Sequence, residues 1–359
     1  MKICEIEIGS GILKDMQKLI QCGSVFAIIT DDIVASLYGN TLQQSLLKKG
    51  VLSFLFSFPS GETHKTRQIK EQLENQLFEK GLGKDTCIIA LGGGVATDMA
   101  GFIAATYCRG VSFLMIPTSL LGMVDACIGG KTGVNVPYGK NLLGCIYQPK
   151  KVLIDVSALK TLPQKEWVNG FVEMIKHGLV ADRYFFADLE KKSGLLFSSD
   201  PLELQGAIFK SCSIKKAIVE EDEKEQGKRR LLNFGHTIGH ALETITHYSL
   251  AHGEAVAIGI LVESYLSMQL GYLKQDSLEK IHRALLAYGA SLQIPQEISL
   301  EEMLALMKLD KKSLKKTPRF VLLEEIGTPL SFGGEYCDFV SEDLIKNALE
   351  WMSYDLCCH

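Results

Sequence analysis

"CIIALGGGVATDMAG" (residues 87–101) joins a wholly apolar run to three glycines and then to a segment that reads as a helix. A strand that is apolar at every position is buried on both faces, the mark of a parallel sheet covered by helices. Gly92, Gly93 and Gly94 stand where the chain must turn. Glycine there lets main-chain N–H groups approach a phosphate at the positive end of a helix. The register glycine-x-glycine-x-x-Thr97 lacks the third glycine of the usual dinucleotide fingerprint. A plain structural turn is therefore an equal reading of these residues alone.

Outward from this turn the alternation repeats. "SVFAIIT" (24–30), "VLSFLFSF" (51–58) and "VSFLMIPTS" (111–119) read as further strands. "DIVASLYGNTLQQSLLKKG" (32–50), "THKTRQIKEQLENQLFEKG" (63–81) and "VATDMAGFIAATYC" (95–108) read as helices. Such alternation predicts βαβ units. From about residue 164 long amphipathic segments take over: "QKEWVNGFVEMIKHGLV", "PLELQGAIFKSCSIKKAIVEED", "GEAVAIGILVESYLSMQLG" and "LEKIHRALLAYG". Only "RFVLLEEIG" (319–327) is β-like in that half. The expectation is an α/β chain with a Rossmann-like parallel-sheet domain over 1–155 and a mainly α-helical domain over 156–359, divided near "KKVLIDVSALKTLP".

Composition narrows the class. With 359 residues, 47% apolar and 22% charged, the chain has the profile of a globular protein of two domains. Lysine plus arginine (38) against aspartate plus glutamate (42) gives a net charge of −4, which argues against nucleic acid as a partner. No run reaches the roughly 18 apolar residues of a membrane span, and "MKICEIEIGSGIL" is not a signal peptide. Ten scattered cysteines suit a reducing cytoplasm, and the terminal "CCH" reads as a frayed end.

"GGKTGVN" resembles a P-loop but fails as one, because the first glycine of that motif is replaced by Asp125, an acid in a phosphate cradle. What remains is a glycine turn flanked by Asp125 and Lys131, followed by Lys140 and Asn141 in "YGKNLLG", a weak anion site.

The other polar concentration is "NFGHTIGHALE" (233–243), where Asn233, His236 and His240 are spaced three and then four apart, as on one helix face. A catalytic divalent metal takes three histidine or carboxylate ligands and leaves a position open. His236, His240 and His252 are candidates, with Glu173, Glu243 and Glu254 as carboxylates and His177 as a rival at i+4 from Glu173. Glu173 is the carboxylate that an apolar helix must explain, since burial is expensive unless it is paired or metal-bound. A local ion pair with Lys176 competes equally with a metal site.

Read together, "SGETHK", "LGGGVATDMAGFIAATYCRG", "IPTSLLGMVDACIGGKTGVN", "GKNLLG", "TLPQKEWVNGFVEMIKHGL", "DEKEQGKRRLLNFGHTIGHALE", "HGEAVAIG" and "DKK" resemble, in order and spacing, the 3-dehydroquinate synthase family of sugar-phosphate cyclases, related to metal-dependent polyol dehydrogenases. The resemblance covers most of the chain. It implies a metal, zinc with cobalt as the alternative, held by Glu173, His236 and His252, with Asn233 and His240 facing substrate. His177 falls where the family pattern varies. NAD would be met by Asp31, Glu62, Lys65, Gly93, Gly94, Val95, Asp98, Thr118, Ser119 and Thr161, with Lys131 and Lys140 also at that site. Substrate and catalytic positions would be Asp125, Lys131, Lys140, Asn141, Lys176, Lys215, Arg229 and Lys311, with Lys312 as the rival of Lys311. Arg109 would reach a phosphate site across a homodimer interface. Ile33 and Ser119 depart from the pattern: Ile33 removes a polar ribose contact, whereas Ser119 replaces a threonine and keeps the hydroxyl.

The implied reaction takes 3-deoxy-D-arabino-heptulosonate 7-phosphate to 3-dehydroquinate and phosphate, with NAD reduced and reoxidised in each turnover, in a cleft between the two domains. It belongs to the shikimate pathway of aromatic amino-acid biosynthesis. The competing readings are a polyol dehydrogenase, a cyclase for another heptulose phosphate, and an inactive nucleotide-binding sensor. A decayed site, however, would have lost some of these residues.

Overall fold

The computed structural model describes residues 4–14, 20–197, 201–247, 249–294, 298–309 and 317–356. The chain forms two compact units, Met1–Glu166 and Trp167–His359.

The first unit contains strands β1 (Glu5–Gly9), β2 (Val25–Asp31), β3 (Leu52–Phe58), β4 (Thr86–Gly92), β5 (Ser112–Pro117), β6 (Lys131–Val136), β7 (Gly139–Ile146) and β8 (Lys151–Asp155). Its principal helices are α1 (Asn40–Lys48), α2 (Arg67–Glu79) and α3 (Gly94–Thr106). Six strands build one sheet in the order β1-β8-β5-β4-β2-β3, and every pairing is parallel. β4 is buried at every position, as its apolar sequence requires. Ile28, Ile89, Leu114 and Leu153 from adjacent strands pack with Leu42 and Leu46 of α1 in one core.

The strand order positions the site. From β2 the chain moves outward to β3, whereas from β4 it moves the other way, through α3, to β5. Adjacent strands whose connections leave in opposite directions open a crevice at their carboxyl ends, the general ligand position of such sheets. Here those ends are Asp31 and Gly92.

The glycine turn between Asp125 and Lys131 is present, with Gly129 and Gly130 both at positive φ, and the segment that follows it is a β-hairpin, β6 against β7. Gly133 and Gly144 face each other across it, and a Cβ on Gly144 would lie 1.9 Å from the Thr132 carbonyl oxygen. The units part between Glu166 and Trp167, later than the composition shift at 155/156. The 3₁₀ turn Val156–Thr161 stays with the sheet because the Tyr38 hydroxyl donates to the Ala158 carbonyl (2.9 Å) and meets the Thr161 hydroxyl (2.6 Å).

The second unit is built from α4 (Gln164–Ala181), which starts just before the division, α5 (Arg183–Phe197), α6 (Pro201–Glu221), α7 (His236–Ile245), α8 (His252–Gln269), α9 (Gln275–Ala287), α10 (Leu300–Leu309) and α11 (Glu342–Asp355). "RFVLLEEIG" supplies two short strands, Arg319–Phe320 paired with Asp338–Phe339 and Leu323–Glu325 paired with Thr328–Pro329. α8 is apolar all round and buried along most of its length, the central helix of the unit. Among the described residues, no helix is long and apolar enough to cross a membrane.

Candidate active site

The second unit gathers the histidines by backbone contact between two helices. Gly235, left-handed at φ 79°, ends the 3₁₀ turn Lys228–Asn233 and lets α7 start at His236. A Cβ on Gly259 of α8 would lie 1.9 Å from the Gly235 carbonyl oxygen, so only glycine permits this approach. The close packing sets the rings of His236 and His252 with centroids 5.5 Å apart. Asn233 therefore lies outside the helix, not on one face with His236 and His240 as its spacing suggests. Its amide donates to Glu225 Oε1 at 2.6 Å. His240 stays beside His236, with centroids 5.3 Å apart and rings edge to face.

α4 brings the carboxylate. Asn169, one turn before Glu173, accepts a hydrogen bond from the Gly253 N–H at 2.9 Å and so ties α4 to the first turn of α8. Glu173 is buried, and its Oε1 lies 3.6 Å from His236 Nε2 and 3.8 Å from His252 Nε2. The ligand atoms of Glu173, His236 and His252 all lie within 4.8 Å of one another. Ligands at about 2.1 Å from a tetrahedral zinc stand about 3.4 Å apart, so the cluster has the dimensions of a cation cradle. The far ring nitrogens agree: His236 Nδ1 meets the Phe234 carbonyl oxygen (3.2 Å) and His252 Nδ1 meets Glu243 Oε1 (3.4 Å). An occupied Nδ1 leaves Nε2 to act as the ligand. The donor set thus fits a divalent metal.

Lys176 forms an ion pair with Glu173 Oε2, so the ion-pair and metal-cradle readings coexist on the two oxygens of one carboxylate. Burial opposes a charge on His252, but the carboxylates of Glu173 and Glu243 hold its pKa up at about 10. A site that draws a proton so strongly toward two carboxylates is one where a cation can replace it. Glu254 caps α8, accepting from the Ala251 N–H, and His177 Nδ1 meets the Ser211 hydroxyl at 2.8 Å. Lys215 and Arg229 are buried cations in this unit, and Arg229 donates to the Glu223 carbonyl oxygen at 2.6 Å.

In the first unit, Asp31 ends β2, and its Oδ1 accepts from the Val34 N–H at 2.9 Å. Burial raises the Asp31 carboxyl above its usual range, only partly offset by that N–H. A Cβ on Gly92 (φ 143°) would lie 3.5 Å from Asp31 Oδ2 and 2.7 Å from the Ala96 side chain. α3 then starts at Gly94, with no side-chain cap at Gly93 and with Val95 half-buried in its first turn. The Thr118 N–H donates to the Gly92 carbonyl (2.9 Å), and Ser119 Oγ accepts from the Gly122 N–H (3.1 Å). Asp31, Gly93, Gly94, Val95, Thr118 and Ser119 thus come together where the strand order reverses.

A second network adjoins it. Lys65 Nζ contacts Asp98 Oδ2 at 2.5 Å and donates to Asn141 Oδ1 at 2.7 Å. Asn135 joins this to Glu62, donating to Glu62 Oε1 at 2.7 Å while its own Oδ1 accepts from the Asn141 N–H at 2.9 Å. Burial pushes the Asp98 carboxyl up and the Lys65 ammonium pulls it back. Lys131 begins β6 and Lys140 is the second residue of β7, so they stand at opposite ends of the ladder. Asp125 is half-buried in the turn Gly122–Ala126. Arg109 is exposed on a turn where Cys108, Arg109 and Gly110 all have positive φ. Lys311 and its rival Lys312 lie outside the described residues.

Sequence profiles of known families match along the chain: the 3-dehydroquinate synthase N-terminal domain over residues 55–169 and the C-terminal domain over 170–313. The chain belongs to the 3-dehydroquinate synthase family. The 3-dehydroquinate synthase of Pelotomaculum thermopropionicum is 42% identical over 343 residues, which cover 94% of this chain and 92% of that one. Among solved structures, 2-epi-5-epi-valiolone synthase from Streptomyces hygroscopicus subsp. jinggangensis, with NAD+ and Zn2+ bound, matches with TM-score 0.89 and 26% identity, covering 99% of this chain and 98% of the other. A 2-deoxy-scyllo-inosose synthase complexed with carbaglucose-6-phosphate, NAD+ and Co2+ has the same fold, at TM-score 0.85 and 23% identity, over 97% of this chain and 98% of the other.

Its activity is that of the 3-dehydroquinate synthases, a carbon–oxygen lyase reaction. Three contributors to these clusters, two in the first unit and one in the second, escape a sequence reading. Asn135 and Tyr38 are ordinary polar residues within a hairpin and a helix. Asn169 betrays itself only through Gly253, whose Cβ would lie 2.5 Å from the Asn169 Cα.

Proposed function

We propose that Glu173, His236 and His252 hold a divalent cation, zinc with cobalt as the alternative. The crevice at Asp31 and Gly92–Gly94 binds NAD, and together they convert 3-deoxy-D-arabino-heptulosonate 7-phosphate to 3-dehydroquinate and phosphate. The observation that carries this reading is Glu173 Oε1 lying 3.6 Å and 3.8 Å from two imidazole Nε2 atoms whose rings are each engaged at Nδ1.

When bound, the cation supplies Lewis acidity toward substrate hydroxyls, and NAD accepts and returns one hydride per turnover. The uncapped first turn of α3 at Gly94 and Val95 meets the dinucleotide phosphates, and Asp31 accepts from ribose hydroxyls. Glu62, Lys65 and Asp98, fixed by Asn135 and Asn141, line the same cofactor, as do Thr118, Ser119 and Thr161. Lys131, Lys140, Lys176, Lys215, Arg229 and Lys311 supply positive charge for a substrate bearing both carboxylate and phosphate. Asp125, Asn141, Asn233 and His240 orient its hydroxyls, and Asp125 and His240 hold protons. The enzyme works in the cytoplasm as a homodimer in which Arg109, set on its strained turn, reaches the partner's phosphate site.

The test is release of inorganic phosphate from the heptulosonate phosphate, with and without a chelator. The expected result is phosphate release that needs the metal and leaves no net NADH. NADH accumulating in proportion to an alcohol, without phosphate, would make the chain a polyol dehydrogenase.

A further inference from the structure

We infer that Glu243 is a positioning residue of the metal cradle: its carboxylate holds His252 through Nδ1, so that Nε2 is the nitrogen presented to the cation. The inference rests on the metal reading given above and extends it beyond the three ligands. Glu243 lies seven residues after His236 on α7, two turns along the same face. One helix therefore delivers a ligand to the site and, from its next turns, an acceptor to the ligand that α8 contributes.

The geometry is specific. Glu243 Oε1 stands 3.4 Å from His252 Nδ1, while His252 Nε2 stands 3.8 Å from Glu173 Oε1, so the ring is engaged at both nitrogens. The Glu243 side chain is 4% exposed, whereas that of His252 is 31% exposed. The more open ring is the one that needs an external hold, since its surroundings leave it freer to rotate. His236 is held differently, by the main-chain carbonyl of Phe234, two residues before it. His252 opens α8 as its first residue, and its hold comes from another helix. A buried acceptor on a metal-bound imidazole fixes tautomer and ring orientation, and its loss weakens metal binding roughly tenfold to hundredfold.

The experiment uses the full chain stripped of metal and titrated with Zn2+ against a chromophoric chelator. Glu243→Ala should weaken affinity roughly tenfold to hundredfold. Glu243→Gln keeps the volume and one acceptor oxygen but not the charge, and should fall between it and the wild type. In a His252→Ala background neither change should alter affinity further, because the ring they act through is gone. Wild-type affinity in Glu243→Gln, or in a folded Glu243→Ala, overturns the inference. An undiminished effect in the His252→Ala background also overturns it, since a generally disordered core would behave so. Should Glu243→Ala fail to fold, Glu243→Gln and its His252→Ala double variant decide alone. His236→Ala serves as the separate control: if it too binds Zn2+ like the wild type, the metal reading falls first, and that outcome is distinct from failure at Glu243 alone.

Discussion

Gly259 sits directly on the carbonyl oxygen of Gly235, where a Cβ would have to stand 1.9 Å from it. That contact sets the spacing of α7 and α8, and through it the approach of His236 to His252. Gly259→Ala must push the helices apart by an ångström or more. Overpacking of this kind costs about 1–3 kcal/mol, and it should also weaken metal binding. Gly206, with nothing within 4 Å of its Cβ position, is the matched control, and Gly206→Ala should leave both properties intact. Urea melts and Zn2+ titrations check the pair. An alanine at 259 that binds metal normally would uncouple the packing from the cradle.

Removing a ligand is more direct than moving one. His252→Ala should lose bound metal and phosphate-releasing activity together, each by more than roughly tenfold, with the helical signal retained. Elemental analysis of the purified variant beside a phosphate assay reads both. Full activity with metal still bound would take His252 out of the ligand set.

The parallel sheet was legible because its strands are apolar at nearly every position, β4 above all. β1, β8 and the β6–β7 hairpin were not, because "EIEIG" and "KTGVNV" carry polar residues, and "KVLID" is a short run that merges into the composition shift between the two halves. Similarly, His236 and His240 could be seen on one helix, but Asn233 could not be excluded from it. The left-handed Gly235 that breaks the run is an ordinary glycine in the sequence. Glu173 announced itself as a charge in an apolar helix. That Lys176 takes one of its oxygens while two histidines approach the other is a matter of three-dimensional placement, beyond what spacing conveys.

Lys65 offers a test in the first unit. It is buried, and it contacts the Asp98 carboxylate at 2.5 Å. Lys65→Met should destabilise the protein by about 3 kcal/mol, because it strands Asp98 without its cation. Changing both residues, as Lys65→Met with Asp98→Leu, should restore much of that loss, since a buried ion pair can be exchanged for apolar packing. NAD binding should stay impaired in the double variant, because the polar network that ends in Glu62 and Asn141 is not rebuilt. Denaturant midpoints and NAD titration by fluorescence separate the two effects. Recovery of NAD affinity together with stability would show that the pair serves folding alone.

Asp31 carries a pH signature. Burial, reinforced by the neighbouring Asp32 carboxylate, raises its pKa above the ordinary 3.8, against the pull of the Val34 N–H. A carboxyl with a raised folded pKa keeps its proton longer in the native state than in the unfolded chain. Its contribution to stability is therefore fully present below 3.8 and is lost as pH rises from there through the raised value. Asp31→Asn cannot ionise, and its side-chain oxygen can still cap the Val34 N–H, a position asparagine fills well. The variant should be the more stable apoprotein at neutral pH and should lack this fall in stability with pH. It should also bind NAD several-fold more weakly, because the charged acceptor for ribose is gone, a common exchange of function for stability. Thermal melts from pH 3 to 7, with and without NAD, measure all three. Identical pH profiles for the two proteins would remove Asp31 as the source of the dependence.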